Sequence, residues 1–327
     1  MIGYLIRRVL LALVVLLGVV TVTFLLLHLL PGDQGKIMLG PRATPAQWAE
    51  YDHLNGLDQP LPVQYVMFLG NIVHGRIAFT PPGYANTLSL EALPTFIDIG
   101  DLVTGPLPNS LLLIGIAYVL ILTAGVPIGI FTAVRRRRAS AHLLNAATLV
   151  VYATPAFFTG IVLTVIFTSD LHVLSANTPE WITGDVLGDP MGLILPVLTL
   201  ALGHVALYGR YLRASILDNL SLDYVTAARS RGVSERDIIV RHVLRNSLLP
   251  IVTLLGTSLP AMFGLDAIVE YLFQYPGIGL ALFQAAYGRD FYTMLGVVLI
   301  AGVIATLSSL IADIAYGVLD PRIRRAG

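Results

Sequence analysis

Tyr152, Thr154, His204, Tyr208 and Asp266 stand in or beside long apolar stretches of the chain, where a polar side chain is expensive and needs a reason. His204 and Tyr208 are four residues apart, so on a helix they share one face. An imidazole, phenols, a hydroxyl and a carboxyl along one route could receive the charged ends of a small polar solute. The other reading is that His204 and Tyr208 satisfy each other or a backbone carbonyl. Neither is covalent chemistry. The chain has no cysteine, which removes thiolate nucleophiles, thiolate zinc sites, iron–sulfur clusters and disulfides. Its single lysine, Lys36, lies in no Gly-x-x-x-x-Gly-Lys-[Ser/Thr] loop, so P-loop nucleotide hydrolysis has no machinery here. His-Glu-x-x-His and Gly-x-Ser-x-Gly are also missing. No catalytic residue, metal site or bound cofactor is therefore assigned.

What must position these groups follows from composition. Of 327 residues, 56% are hydrophobic and 12% charged, too few charges to coat a soluble globule of this size. Twenty basic residues balance twenty acidic ones, which removes the basic footprint that nucleic acid requires. A hydrocarbon core about 30 Å thick takes about 20 apolar residues per helix. Six stretches qualify, at roughly 9–30, 109–134, 143–168, 191–212, 247–270 and 293–317. The expected fold is an all-α, six-span integral membrane protein in one domain, residues 1–327. The first stretch is too long for a signal-peptide core and is read as an uncleaved span.

Placing both termini in the cytoplasm puts sixteen of the twenty Lys and Arg inside, leaving Lys36, Arg42, Arg76 and Arg289 outside. The four-arginine run Arg135–Arg138 is then an orientation signal, with contact to anionic lipid as the other reading. Asp313, near the inner end of the last span, reads as a structural ion-pair partner for Arg7, Arg8 or Arg210. Gly125-Val126-Pro127-Ile128-Gly129 offers a close-packing face, and Tyr152-Ala153-Thr154-Pro155 breaks a helix.

Two segments lie outside the spans. In residues 31–108, Thr44-Pro45-Ala46-Gln47 reads as a helix start with a capping box. A second helix after Pro62 puts Val63, Val66, Met67 and Val73 on one face, suited to lying on the bundle or the membrane surface. Thr80 to Pro94 reads as a loop. In residues 213–246, helix formers from Asp223 to Arg231 end at Gly232, and Ser234-Glu235-Arg236-Asp237 starts a new helix. A helix, glycine turn and helix anchored between two spans suits insertion into another protein; the plainer reading is a solvated loop.

At this loop the chain resembles the membrane subunits of ABC importers, specifically the first permease subunit of the dipeptide, oligopeptide and nickel family. In that superfamily the loop carries Glu-Ala-Ala, three residues and Gly; here stand Thr226-Ala227-Ala228 and Gly232, the threonine in place of glutamate resembling the peptide branch, within Asp223-Tyr224 and ahead of Leu244-Arg245-Asn246-Ser247-Leu248-Leu249-Pro250. Leu29-Leu30-Pro31-Gly32-Asp33, Leu57-Asp58-Gln59-Pro60, Glu270-Tyr271-Leu272-Phe273 with Tyr275-Pro276-Gly277-Ile278-Gly279, Arg289-Asp290 and Asp320-Pro321-Arg322-Ile323-Arg324 extend the likeness end to end. Arg76-Ile77-Ala78 departs from the usual Asp-Leu-Gly, and residues 79–108 carry little of the pattern. The resemblance implies a type I ABC importer transmembrane fold in a bacterial or archaeal plasma membrane. Its partners would be a homologous second permease, two cytoplasmic ATPases holding ATP and magnesium, an external substrate-binding protein and membrane lipid. Asp223, Tyr224, Thr226, Ala227, Ala228, Arg229 and Gly232 would then couple the chain to an ATPase, with Ala227 and Ala228 both turned toward it. The cargo would be short peptides, with nickel, glutathione or another small solute as alternatives. An ion-coupled secondary transporter is the competing class; it requires inverted repeats and midplane carboxylates, and no repeat is apparent.

Overall fold

The computed structural model describes residues 2–29, 36, 43–80, 95–175, 186–288 and 291–319. Helices α1 (Ile2–Leu29), α2 (Pro45–Leu54) and α3 (Leu61–Val73) precede two strands, β1 (Arg76–Thr80) and β2 (Thr95–Asp98). Next come α4 (Ile99–Thr104), α5 (Pro106–Val134), α6 (Ala139–Ala153) and α7 (Ala156–Thr164), the last passing into a π-helical turn at Val165–Asp170. The remainder is α8 (Ile194–Leu220), α9 (Asp223–Ser230), α10 (Glu235–Asp237), a π-helical stretch at Ile238–Val243, α11 (Leu244–Ser247), α12 (Leu249–Phe273), α13 (Ile278–Gly288) and α14 (Phe291–Leu319).

Among the described residues, Ile6–Leu26, Ile99–Val134, Ile194–Leu220, Glu235–Gly264 and Thr293–Ile311 are each long and apolar enough to cross a membrane. A sixth span exists if α6 and α7 count as one, but they meet at 105°. The continuous helix expected over 143–168 is thus corrected to a bent pair. The cause lies where the proline suggested: Thr154 is extended (φ −83°, ψ 128°), as residues before proline prefer. Other boundaries differ. The segment Glu235–Gly264 opens with Glu235, Arg236 and Asp237 and carries Arg241 and Arg245, so its membrane part is the uncharged run that follows Arg245, and the residues before it belong to the loop. Helix α8 runs on to Leu220, so the loop drawn from residue 213 begins inside it. The spans are all helical, as expected; outside them the chain adds an antiparallel pairing of β1 with β2, Phe79 opposite Phe96 and Thr80 opposite Thr95. Ile, Phe and Thr suit extended backbone, and Thr80, expected in a loop, ends the first strand. The rest of that loop, Arg289-Asp290 and Asp320–Arg324 lie outside the described residues.

The chain clusters into two compact units, one mainly Leu111–Tyr275 and the other Val9–Ser110 with Pro276–Thr306. The first is built on α8, whose Leu195, Leu200, Leu212 and Ile216 are buried with Leu113 and Ile121 of α5 and Met262 and Val269 of α12. Helices α5 and α8 meet over glycine. A Cβ on Gly129 would stand 2.8 Å from the Gly209 carbonyl oxygen and 2.9 Å from Leu212 Cβ, so only hydrogen fits. The second unit packs Phe24 of α1 with Tyr51 of α2, Phe68 of α3 and Leu295 of α14. Within it, Thr44 and Gln47 form the expected capping box, the Thr44 amide donating to Gln47 Oε1 at 2.8 Å. Asn109 Nδ2 donates to the Pro276 carbonyl at 2.8 Å, and Ser110 Oγ accepts the Ile278 amide at 2.8 Å, which satisfies a donor at the start of α13.

Candidate coupling loop and intramembrane polar sites

The helix, glycine turn and helix expected after Asp223 are all present. Asp223 sits in the first turn of α9, where a carboxylate favours the helix dipole. Val225 and Ala228 are buried, packed into the cluster that holds Ile238 and Val243. Past Arg231 the chain reverses through Gly232 at φ +77°, a conformation glycine takes without penalty. The Gly232 amide donates to the Arg229 carbonyl at 2.9 Å and the Val233 amide to the Ala228 carbonyl at 3.2 Å. Across the turn Arg229 grips Glu235 with two bonds, Nε to Oε1 at 2.6 Å and Nη2 to Oε2 at 3.2 Å. This bond holds the Glu235 carboxyl below the usual carboxylate range and raises the Arg229 guanidinium. Ser234 Oγ accepts the Asp237 amide at 3.2 Å, capping α10, and donates to Asp237 Oδ2 at 2.7 Å. That hydroxyl, then Arg241 at 3.3 Å, lower the Asp237 carboxyl.

The loop is therefore a closed unit whose inner face is already used. Its open face carries Asp223, Thr226, Ala227 and Ser230, spaced i, i+3, i+4 and i+7. Of the two alanines expected to point outward, Ala227 does and Ala228 does not, being 2% exposed. The reason is helical phase: Ala228 follows Val225 by three residues and shares its buried stripe. Tyr224 also turns inward, its hydroxyl donating to Asn219 Oδ1 of α8 at 3.2 Å.

Inside the spans the polar groups are brought together differently from the sequence reading. His204 and Tyr208 do not bond each other. His204 Nδ1 lies 3.1 Å from the Leu200 carbonyl, one turn back. Tyr208, 1% exposed, shares a 2.6 Å hydrogen bond with Ser258 Oγ of α12. Ser258 is also 3.0 Å from the Tyr118 hydroxyl of α5, so one serine ties three helices. Tyr118 and Ser258 were missed because they are uncharged and lie far from Tyr208 in sequence; a polar residue in an apolar run was the available signal. Tyr152 stands open at the end of α6 with the Arg210 guanidinium 5.6 Å from its ring centre. Thr154 Oγ1 donates to the Val150 carbonyl at 2.8 Å, a bond that reinforces the helix end at the bend.

Asp266 is not on an open face. It is 1% exposed, and Glu270, one turn on, is fully buried. Neither Asp266 oxygen meets a donor in hydrogen-bond geometry among the described residues. Burying a carboxylate costs several kcal/mol unless it is compensated, so a carboxyl held at this position needs a reason. Glu270, part of the Glu270-Tyr271-Leu272-Phe273 motif, is the second member of the pair and is not marked out by its sequence neighbours. The Asp313 side chain lies outside the described residues. Among the described residues no three His, Asp or Glu side chains gather as metal ligands.

The chain matches the binding-protein-dependent transport system inner membrane component family over residues 125–325, and that family's N-terminal membrane component over residues 1–88. It is 30% identical to the Bacillus subtilis oligopeptide transport system permease protein AppB, with 99% of each chain covered. It is 28% identical to the Escherichia coli dipeptide transport system permease protein DppB, again with 99% of each covered. Among solved structures, an inward-facing conformation of the MetNI methionine ABC transporter superposes with a TM-score of 0.55 at 15% identity. That match covers 67% of this chain and 96% of the other, and shows the shared fold. With both family segments matched and relatives aligned end to end, this chain belongs to the inner membrane components of binding-protein-dependent transport systems.

Proposed function

We propose that this chain is the transmembrane permease subunit of an ATP-driven importer that moves short peptides into the cytoplasm by alternating access. The observation that supports this most directly is full-length similarity to oligopeptide and dipeptide permease proteins. It is joined by a rigid α9–turn–α10 unit with a free face of small residues. The chain has no nucleotide-hydrolysing motif, so energy comes from a partner. In this reading α9 docks on a cytoplasmic ATPase carrying ATP and magnesium, a homologous permease supplies the other half of the path, and an external binding protein delivers cargo. Both termini and the loop then face the cytoplasm, and the membrane is a bacterial or archaeal plasma membrane. The polar groups on α6, α8 and α12, among them Tyr152, Thr154, His204, Tyr208 and Asp266, are candidates for contact with the peptide's charged ends when the helices rearrange.

The test reconstitutes the chain with its partner subunits in vesicles and measures uptake of a labelled dipeptide. Uptake that requires both ATP and binding protein is expected. Uptake driven by a proton or sodium gradient without ATP, or no peptide uptake while nickel or glutathione accumulates, overturns the assignment.

A further inference from the structure

Helix α3 is built inside out. Its Gln64 side chain points into the protein, where Oε1 lies 2.7 Å from His28 Nε2 and Nε2 donates to the Leu57 and Gln59 carbonyls at 2.9 and 2.7 Å. Tyr65 and Phe68 lie on that same inner side, ring to ring with Phe24 of α1. The opposite face, an arc of about 120° at 100° per residue, carries Val63, Val66, Met67, Gly70 and Val73. Of these, Val66 is 66% and Val73 83% exposed. No residue from Leu61 to Val73 is charged. A helix on a protein surface in water shows the reverse arrangement.

What it touches places it beside the apolar part of α1. Thr21 Oγ1 and Tyr65 OH are 2.7 Å apart, and Thr21 lies five residues inside the end of the apolar span Ile6–Leu26, about 7–8 Å along the helix. Beside the Thr21, Phe24 and His28 row that holds α3, helix α1 exposes Val22, Leu25, Leu26 and Leu29. The uncovered face of α3 adds to this exposed apolar surface. Thirteen residues make about 20 Å of helix, too short to cross a core of about 30 Å. The same cluster holds Trp48, with the Lys36 ammonium 5.2 Å from its ring, the pair of residue types that anchors protein at the headgroup level.

We infer that α3 lies in one leaflet of the bilayer with Val63, Val66 and Val73 against lipid acyl chains, an embedded collar around the end of α1 and not a water-facing docking surface. The test places a single cysteine at Val66 or, as an independent second site, at Val63, on a chain that has no other thiol. Each is labelled with an environment-sensitive nitrobenzoxadiazole probe in the assembled transporter, in phosphatidylcholine vesicles. Asp58→Cys, in the turn before the helix, is the aqueous reference. At Val66→Cys and Val63→Cys, replacing the lipid by its acyl-dibrominated form should cut emission at least twofold, while iodide should have little effect. At Asp58→Cys the order should reverse. Quenching of both helix probes by iodide would overturn the inference in favour of a water-facing surface. Protection from both quenchers would overturn it in favour of a protein covering, whether the second permease, the binding protein or another copy of this chain.

Discussion

Gly129 shows how far a single residue can decide helix packing in this molecule. The atoms its missing side chain would meet are the Gly209 carbonyl oxygen and Leu212 Cβ, neither of which can swing aside without moving α8. Gly203, on α8 itself, has no atom within 4 Å of an added Cβ. Gly129→Ala should therefore lower the stability of the purified protein in detergent by about 1–3 kcal/mol, the usual cost of overpacking. Gly203→Ala should be neutral or slightly stabilising because alanine is the better helix former. Thermal unfolding of the two variants side by side checks both; equal midpoints would remove the close-contact account. At this scale the sequence was readable where the signal is local. Gly125 and Gly129 are one turn apart, and Thr44 and Gln47 show their capping box as a short motif. It was not readable where partners are distant: nothing in Tyr208 announces Ser258, and the depth at which Asp266 is buried depends on the helices around it.

Elements were legible to the extent that their ends are chemically marked. Proline after Thr154 announces a break, yet the 105° between α6 and α7 depends on packing, which periodicity does not encode. The strand at Arg76–Thr80 escaped because its partner lies across a long connection, and strand propensity alone is a weak signal. The α9–turn–α10 unit was the most legible, since a stop, a glycine and a cap follow each other within a few residues. Its polar closure has a pH dependence whose sign is fixed. Glu235 and Asp237 have folded-state pKa values below their unfolded ones, so their contribution is complete above the ordinary carboxylate range near 4 and is lost as pH falls through the lower folded values. Both are exposed, so the effect on global stability is small. It should show locally. Hydrogen exchange at the Gly232 and Val233 amides, corrected for intrinsic rate, should lose protection below about pH 4. Glu235→Gln should lose part of that protection already at neutral pH. Unchanged protection in Glu235→Gln would mean that the backbone bonds alone hold the turn.

For the whole molecule, the proposed function requires that a movement of an ATPase reach the spans, and in that proposal the route runs through a small contact. Helix α9 is about 12 Å long and is tied to α8 by Tyr224 and Asn219, and its buried stripe packs on the segment leading into α12. On the proposed coupling, displacement of its outer face would be handed to two spans at once. The burial pattern separates two substitutions that the sequence alone treats as equivalent. Ala227→Trp adds bulk to the open face and should weaken ATPase association tenfold or more while the amides of Gly232 and Val233 stay protected. Ala228→Trp forces bulk into the chain's own core, so it should lose that protection first and ATPase binding as a consequence. Gly232→Val meets no neighbour but must hold a β-branched residue at φ +77°, a cost of about 1–2 kcal/mol that should loosen the turn. All three variants should insert normally because the apolar spans are unchanged. In the reconstituted complex, ATP hydrolysis and peptide uptake are measured together for each. The expected outcome for Ala227→Trp is lost uptake with hydrolysis either lost or no longer matched to it. Should that variant bind the ATPases at wild-type affinity and carry the wild-type number of peptides per ATP, α9 is not the transmitting element, and the coupling surface lies elsewhere on the cytoplasmic face.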